Sequence, residues 1–350
     1  MRETKLIYSS KAILLALSLT IGLNASEYNS SEVTKIELPE VPTPVEATKV
    51  ITIGGNPPVK ENKSYFERNR IIVKKGIPPV VEKKVAKDIM DDKVGGIINK
   101  RVSAYLQAPL MNLKSVKEKL IKAGFKILAI YKIDKKGLIT SIVFTNDALT
   151  KQGDKENRGF ATSIRVLIDK KNKQISISNP LYISKAFMQD DFKIDASKKA
   201  LEALRLAFKN LKDSPEVLKY HLLPKYHFMT AMPFYKDMIE VASAKTTAEL
   251  LAKLEKKKNK KSLLFIHKIS KDRYLVGIKL HRRTTKFVKK IGYKNAGLLP
   301  YPILVENGKA KILDPKYYIA LMYPKLTMSE FMTIASIPDA IEKDAKRRFK

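Results

Sequence analysis

One pattern occurs twice in this chain, and a domain-sized echo restricts the possible folds more than any composition does. Residues 165–182 read RVLIDKKNKQISISNPLY and residues 302–317 read PILVENGKAKILDPKY. Each stretch is a short apolar run closed by an acid (Asp169, Glu306), then a polar turn and a second alternating run. Each ends in Asn-Pro or Asp-Pro, with a tyrosine two positions after the proline. Alternation at period two marks a strand with one buried face, and the polar turn between two such runs makes a hairpin.

The surroundings repeat as well. In the first half, 102–106 reads as a strand. Ser115-x-x-Glu118 reads as a capping box, opening a helix with Val116, Leu120 and Ala123 on its apolar face and Gly124 as its stop. Residues 125–133 and 138–145 read as strands joined by the Asp134-Lys-Lys-Gly137 turn. After the hairpin, Asp195 is the expected cap of a helix with Ala200, Leu201, Leu204, Phe208 and Leu211 on one face. A connector at 222–237 carries Pro224 and Pro233, and the plan then restarts. Strands are expected at 239–242, 263–269, 274–280, 301–306 and 310–313. Thr246-x-x-Glu249 and Thr327-x-x-Glu330 are capping boxes, and Pro338 suits a helix start. Both halves run strand, helix, four strands, helix, and matching elements lie about 135 residues apart. Local hairpins imply antiparallel pairing. The expected fold class is therefore α+β: two similar domains, 100–234 and 235–350, each a mainly antiparallel sheet with helices on one face. They are expected to pack together as an internal pseudo-dimer.

The N-terminus has a different character. Arg2, Lys5 and Lys11 precede an uncharged apolar run at 12–23, and Ala25–Ser26 offers a small-residue cleavage point. This is the plan of a signal peptide over 1–25. An uncleaved anchor is the alternative, although the run is shorter than the roughly 20 residues a spanning helix needs. No later stretch is long and apolar enough to span. The chain has no cysteine, hence no lipoprotein acylation site, disulfide or thiolate chemistry. A periplasmic location is the expectation. Residues 26–99 carry seven of the 17 prolines and read as a tether, with a short helix at 81–90.

Residues 120–182 resemble the domain-of-unknown-function family 302. The likeness rests on a helix followed by GFKILAIYKI, a strand IVFTNDAL, and the LIDKKNKQISISNPLY hairpin. The second half is similar through Leu299-Pro300, Val305-Glu306 and Asp314-Pro315-Lys316-Tyr317. The resemblance covers about 100–350 and implies a compact α+β domain that often associates in pairs, with no settled activity. The family commonly has Gly-Asn-Pro after the second hairpin strand. This chain has Thr145-Asn146-Asp147 and Lys279-Leu280-His281 instead, so any ligand held by that loop is in doubt, above all in the second half.

Three groups of residues are candidates for chemistry. Asn146, Asn179 and Tyr182, with Asp314 and Tyr317, are placed to line a cleft at strand ends, or simply to build turns. The connector carries His221, His227, Met229 and Met232, soft ligands suited to copper(I) or haem iron. The alternative is that they pack the space between the halves. Residues 253–290 hold 15 Lys or Arg against Glu255 and Asp272, including Lys256, Lys257, Lys258, Lys260, Lys261, Arg282, Arg283 and Lys286. With a net charge of +33 this band suits an anionic partner, such as an acidic protein or an anionic envelope component; a solvated basic face is the plainer reading. Aromatic interleaving is thin, which speaks against nucleic acid. No phosphate-binding glycine loop, nucleophile elbow or His-Glu-x-x-His helix is present. No catalytic residue is assigned, and no motif implies a cofactor. The sequence points to an exported, non-enzymatic binding or accessory protein.

Overall fold

Apolar alternation becomes antiparallel strand throughout residues 92–350, the part of the chain that the computed structural model describes. The signal segment, the 81–90 helix and most of the tether lie outside the described residues. The first half runs β1 (Ile97–Ile98), β2 (Arg101–Ser103), β3 (Tyr105–Pro109), α1 (Leu113–Lys122), β4 (Lys126–Lys132), β5 (Ile139–Thr145), α2 (Asp147–Gln152), β6 (Ile164–Asp169), β7 (Gln174–Ser178), α3 (Pro180–Met188), α4 (Ile194–Ala207), β8 (Lys212–Asp213) and β9 (Val217–Lys219). The second runs β10 (Ile239–Ser243), α5 (Thr247–Glu255), α6 (Lys257–Lys260), β11 (Leu263–Ser270), β12 (Arg273–Ile278), α7 (Arg282–Thr285), α8 (Phe287–Ile291), β13 (Tyr301–Glu306), β14 (Lys309–Ile312), α9 (Pro315–Met322), α10 (Met328–Met332) and α11 (Ile337–Lys346).

The fold is α+β, and every strand pair is antiparallel. A small sheet has the order β1-β2-β9. Its β1 falls within the span that the prolines assign to the tether. The two main sheets are traced alike: β4-β5-β6-β7-β3, with β8 added at the edge, and β11-β12-β13-β14-β10. In each, an early strand, β3 or β10, crosses over to pair with the second strand of the hairpin, β7 or β14.

Register explains which residues meet which layer. Ile142, Val166, Ile177 and Leu106 are directly opposed across β5, β6, β7 and β3. This face meets the helices: Leu106 and Leu201 of α4 both come within 2.8 Å of the space beside Gly95. Each such fully buried aliphatic side chain is worth about 1.5–3 kcal/mol of transfer free energy. The other face carries Ser141, Leu167, Ser176 and Gln107 in one row, with Tyr105 and Ser178 paired nearby. Alternation leads one to expect this polar row in solvent, with one face of the sheet buried. Instead β5 and β6 are buried along their whole length, and so is β13. The reason is that each half covers the second face of the other.

That covering is reciprocal. The 3-10 turn Gly159–Thr162, between β5 and β6, packs on β12 and β13. The 3-10 turn Ala296–Leu298, between β12 and β13, packs on β6 and β7, and β4 lies against β11. Like elements meeting like elements is the geometry of an isologous interface. Polar groups fasten the seam. Tyr105 donates its hydroxyl proton to the Met322 carbonyl at 2.7 Å, and Tyr182 to the Leu321 carbonyl at 2.6 Å. The buried Glu306 carboxylate takes Arg273 Nε at 2.6 Å and the Asn157 N–H at 2.8 Å. Arg273 also reaches Asp154 at 2.6 Å, and Lys311 Nζ reaches Asn157 Oδ1 at 2.7 Å. The acid that ends the matching run, Asp169, stays local: it accepts from the Lys171 and Asn172 N–H groups at 2.9 and 3.0 Å and holds its own turn.

Several local expectations shift. The first strand is two strands, broken at Ala104. The cap of α1 is Asn112, which accepts from Ser115 N at 2.8 Å; Ser115 itself is inside the helix. Lys193, with no side-chain bond, starts α4, and Asp195 sits in the first turn where it complements the helix dipole. Thr246 does cap α5, and Thr327 with Glu330 forms a complete capping box. Pro338 lies in the first turn of α11.

The reciprocal turns differ in tightness. A Cβ on Gly159 falls onto Leu304 Cδ1 and within 2.9 Å of Ile269 Cδ1; one on Gly297 comes no nearer than 3.7 Å to Ser178 Oγ. Gly159→Ala should therefore overpack the seam and cost about 1–3 kcal/mol. Gly297→Ala should stay within about 0.5 kcal/mol of wild type. Urea unfolding midpoints decide: equal effects at the two positions contradict the seam as described.

Candidate functional site

Five residues are expected from the sequence to line a cleft at strand ends. The structure makes three of them helix caps. Asn146 caps α2, accepting from Leu149 N at 2.8 Å. Asn179 caps α3 through Leu181 N at 3.0 Å, and Asp314 caps α9 through Lys316 N at 2.8 Å. Proline then occupies the first turn of α3 and of α9, where its missing N–H is no loss. Asn179 does more than cap. It is buried, and its Nδ2 donates to the Gly95 and Ser103 carbonyls, both at 2.9 Å. The residues before β1 and the end of β2 are thereby tied to the start of α3.

The two tyrosines point into the seam between the halves. Tyr182 and Tyr317 are buried; Tyr317 meets Tyr226 and Tyr235 edge-on, with ring centroids 6.1 Å apart in both pairs. Burial pushes both phenols well above the usual tyrosine range, and neighbouring phenols add to the shift. Neutral rings in an apolar seam are packing elements. Burial also raises the Asp314 carboxyl pKa, against the backbone N–H groups that favour its charged form.

The connector residues are spread out. His221 is exposed on the 3-10 turn Tyr220–Lys225. The His227 ring lies 4.5 Å from the Phe234 ring. Met229 is exposed, while Met232 packs on the core. A groove of about 320 Å³ beside this turn is lined by Arg101, Val217, Leu218, Leu222 and Tyr226, and so is mostly apolar. Among the described residues no group of three or more His, Asp or Glu is placed to hold a metal ion.

The basic band is assembled into one surface. Lys256, Lys257, Lys260 and Lys261 are exposed, as are Lys279, Arg282, Arg283 and Lys286. The Lys279 N–H donates to the Ser262 carbonyl at 2.7 Å, which puts both segments at one end of the β11–β12 hairpin. Buried Asn259 donates to the carbonyls of Lys253 and Arg348, each at 2.7 Å. Buried Asp344 of α11 accepts from His281 N at 2.8 Å. These bonds draw the C-terminal segment beside the band and add the exposed Lys346, Arg347 and Lys350. Lys346 pairs with Glu342 at 2.6 Å and Arg347 with Asp344 at 3.6 Å, so part of that charge is met locally. The C-terminal contribution was not expected from the sequence, although the closing run KDAKRRFK is itself basic. What this end of the molecule offers is a cationic surface on a fixed scaffold, suited to attracting anions through charge and counterion release.

No family model, curated protein or solved structure matches the chain.

If the caps are structural, their loss registers as stability. Asn179→Ala removes a cap and leaves two buried carbonyls unpaired, for an expected loss of about 2–4 kcal/mol. Asp314→Ala removes one part-exposed cap and should cost about 1 kcal/mol. Chemical denaturation measures both; unchanged or raised stability in Asn179→Ala is the result expected of a ligand residue and contradicts the structural role.

Proposed function

We propose that this is an exported, non-enzymatic binding protein whose working surface is the cationic end of the second sheet, and that its partner is an anionic surface of the cell envelope. The observation that carries the reading is the convergence of three basic segments, 256–261, 279–286 and 346–350. They are joined through buried Asn259, which donates to the Arg348 carbonyl, and buried Asp344, which accepts from the His281 N–H. A solvated genome-wide excess of lysine needs no such ties. Export rests on the basic, apolar and small-residue order of the first 25 residues. The matched strand order of the two sheets and their reciprocal packing support an origin by duplication of one α+β domain.

The attraction is electrostatic, so it fades with salt over a Debye length of about 8 Å at physiological ionic strength. Each Lys or Arg near an anionic membrane surface contributes about 1 kcal/mol. The full chain should sediment with vesicles of phosphatidylcholine and phosphatidylglycerol but not with phosphatidylcholine alone, and less so as salt rises. Changing Lys256, Lys257, Lys260, Lys261, Arg282, Arg283 and Lys286 to Gln should weaken binding about a hundredfold or more. Binding that is equal in this variant, or equal on neutral vesicles, refutes the proposal.

A further inference from the structure

The seam between the halves holds a buried arginine that no carboxylate contacts. Arg165 is 3% exposed, on the β6 face turned toward the second half. Its guanidinium makes two long contacts, NH1 to Ser163 Oγ at 3.4 Å and NH2 to the Pro300 carbonyl at 3.5 Å, and its Nε has no partner. Among the described residues it forms no ion pair. Of the nearby buried carboxylates, Glu216 meets Lys294 Nζ at 2.7 Å through Oε1 and leaves Oε2 without a partner, and Asp169 holds its own turn. An arginine side chain stays charged at any physiological pH, so it cannot escape the cost of burial by losing its proton.

The groups around it are orphans of the same kind. Strand alternation puts Arg165, Ser176 and Ser178 on one face, with Tyr105 opposite Ser178. The hydroxyls of Ser176 and Ser178 have no partner, nor does Asn295 Oδ1, whose residue accepts the Tyr105 hydroxyl on its backbone carbonyl. An asparagine amide turned over presents N–H donors instead. Burial raises the Tyr105 phenol pKa, the neighbouring phenols and the Glu216 carboxylate add to that rise, and the Arg165 charge opposes it, as it does at Tyr318, so the guanidinium lies among these rings with Glu216 close by. The turn Ala296–Leu298 closes over the layer, with Ser178 Oγ 3.7 Å from the Cβ position of Gly297. Buried unsatisfied donors in a folded protein call for an ion or water.

We infer that Arg165, with the Ser178 hydroxyl, forms an interior site for one small monoanion of the halide class, held in the seam between the two halves. A single negative charge neutralises the one guanidinium, and hydroxyl and N–H donors suit a spherical anion that needs no matching acceptor geometry. The closed turn excludes a larger organic acid. The anion binds only when both halves are docked, so it stabilises the folded chain by mass action.

The full chain, dialysed into sodium gluconate, should gain thermal stability saturably as chloride replaces gluconate at constant ionic strength. Arg165→Met should abolish that response. The variant with Lys256, Lys257, Lys260 and Lys261 changed to Gln should keep it, which separates the interior site from halide held on the basic surface. Should Arg165→Met not fold, Ser178→Ala retains the guanidinium and should raise the half-saturating chloride concentration about tenfold. Bromide-soaked crystals should show an anomalous peak beside Arg165. A midpoint indifferent to chloride in the wild type, an unchanged response in Arg165→Met or Ser178→Ala, or ordered water alone beside the guanidinium overturns the inference.

Discussion

Both faces of the central strands β5 and β6 of the six-stranded sheet are out of water, and that condition couples everything else in the molecule. The Ile142–Val166–Ile177–Leu106 row is covered by helices of its own half. On the opposite face Tyr105, Arg165 and Leu167 are all but inaccessible. That face is closed by a turn delivered from the second half, Ala296–Leu298, and the second half is closed in return by Gly159–Thr162. Neither half can bury its inner sheet face alone. The Glu306–Arg273–Asp154 pairing and the two tyrosine-to-carbonyl bonds then fix how the halves sit. Apolar cover drives the docking; these directional bonds choose one docked arrangement.

Strands and their turns were legible because their signal is local. Residues 125–133 and 138–145 alternate, and Asp134 accepts from Lys136 N and Ile139 N while Gly137 takes φ +64°. The helices α3 and α9 were not. Both follow an Asx-Pro pair that reads as a turn, and both are buried on nearly every side, so PLYISKAFM and PKYYIALM show no polar face and no 3.6-residue stripe. Helix caps went astray for a related reason: Ser115-x-x-Glu118 has the right spacing, but Asn112 comes first and takes the role. Inter-half packing also rewrote the meaning of Tyr182 and Tyr317. They read as turn closers because the surfaces they fill belong to distant sequence, Leu321 for Tyr182 and Tyr226 and Tyr235 for Tyr317.

Of the candidate surfaces, the basic band was legible as composition but not as geometry. Its density over 253–290 is plain in the sequence, whereas its extension by Lys346, Arg347 and Lys350 depends on Asn259 and Asp344 as tie points. Arg165 lay below notice for the opposite reason. An arginine flanked by apolar residues on an alternating strand is the ordinary sign of a solvent-facing position. Only the arrival of the second half turns that position inward, and nothing local to β6 announces it.

The differences between the two hairpins carry the division of labour. Where the first has Arg165, Ser176 and Ser178 on its inward face, the second has Pro302, Lys311 and Leu313 at the matching places. Lys311 is not an orphan: it reaches Asn157 and lies 3.9 Å from Glu306. The second inner face therefore balances its charge within the protein, and the first does not. The exposed cations show the reverse asymmetry, gathered at the far end of the second sheet. A fold whose two halves share one strand order has thus placed an unbalanced interior charge in one half and a collected surface charge in the other. Packing alone requires neither, since apolar residues would fill the inner face and scattered lysines would keep the surface soluble.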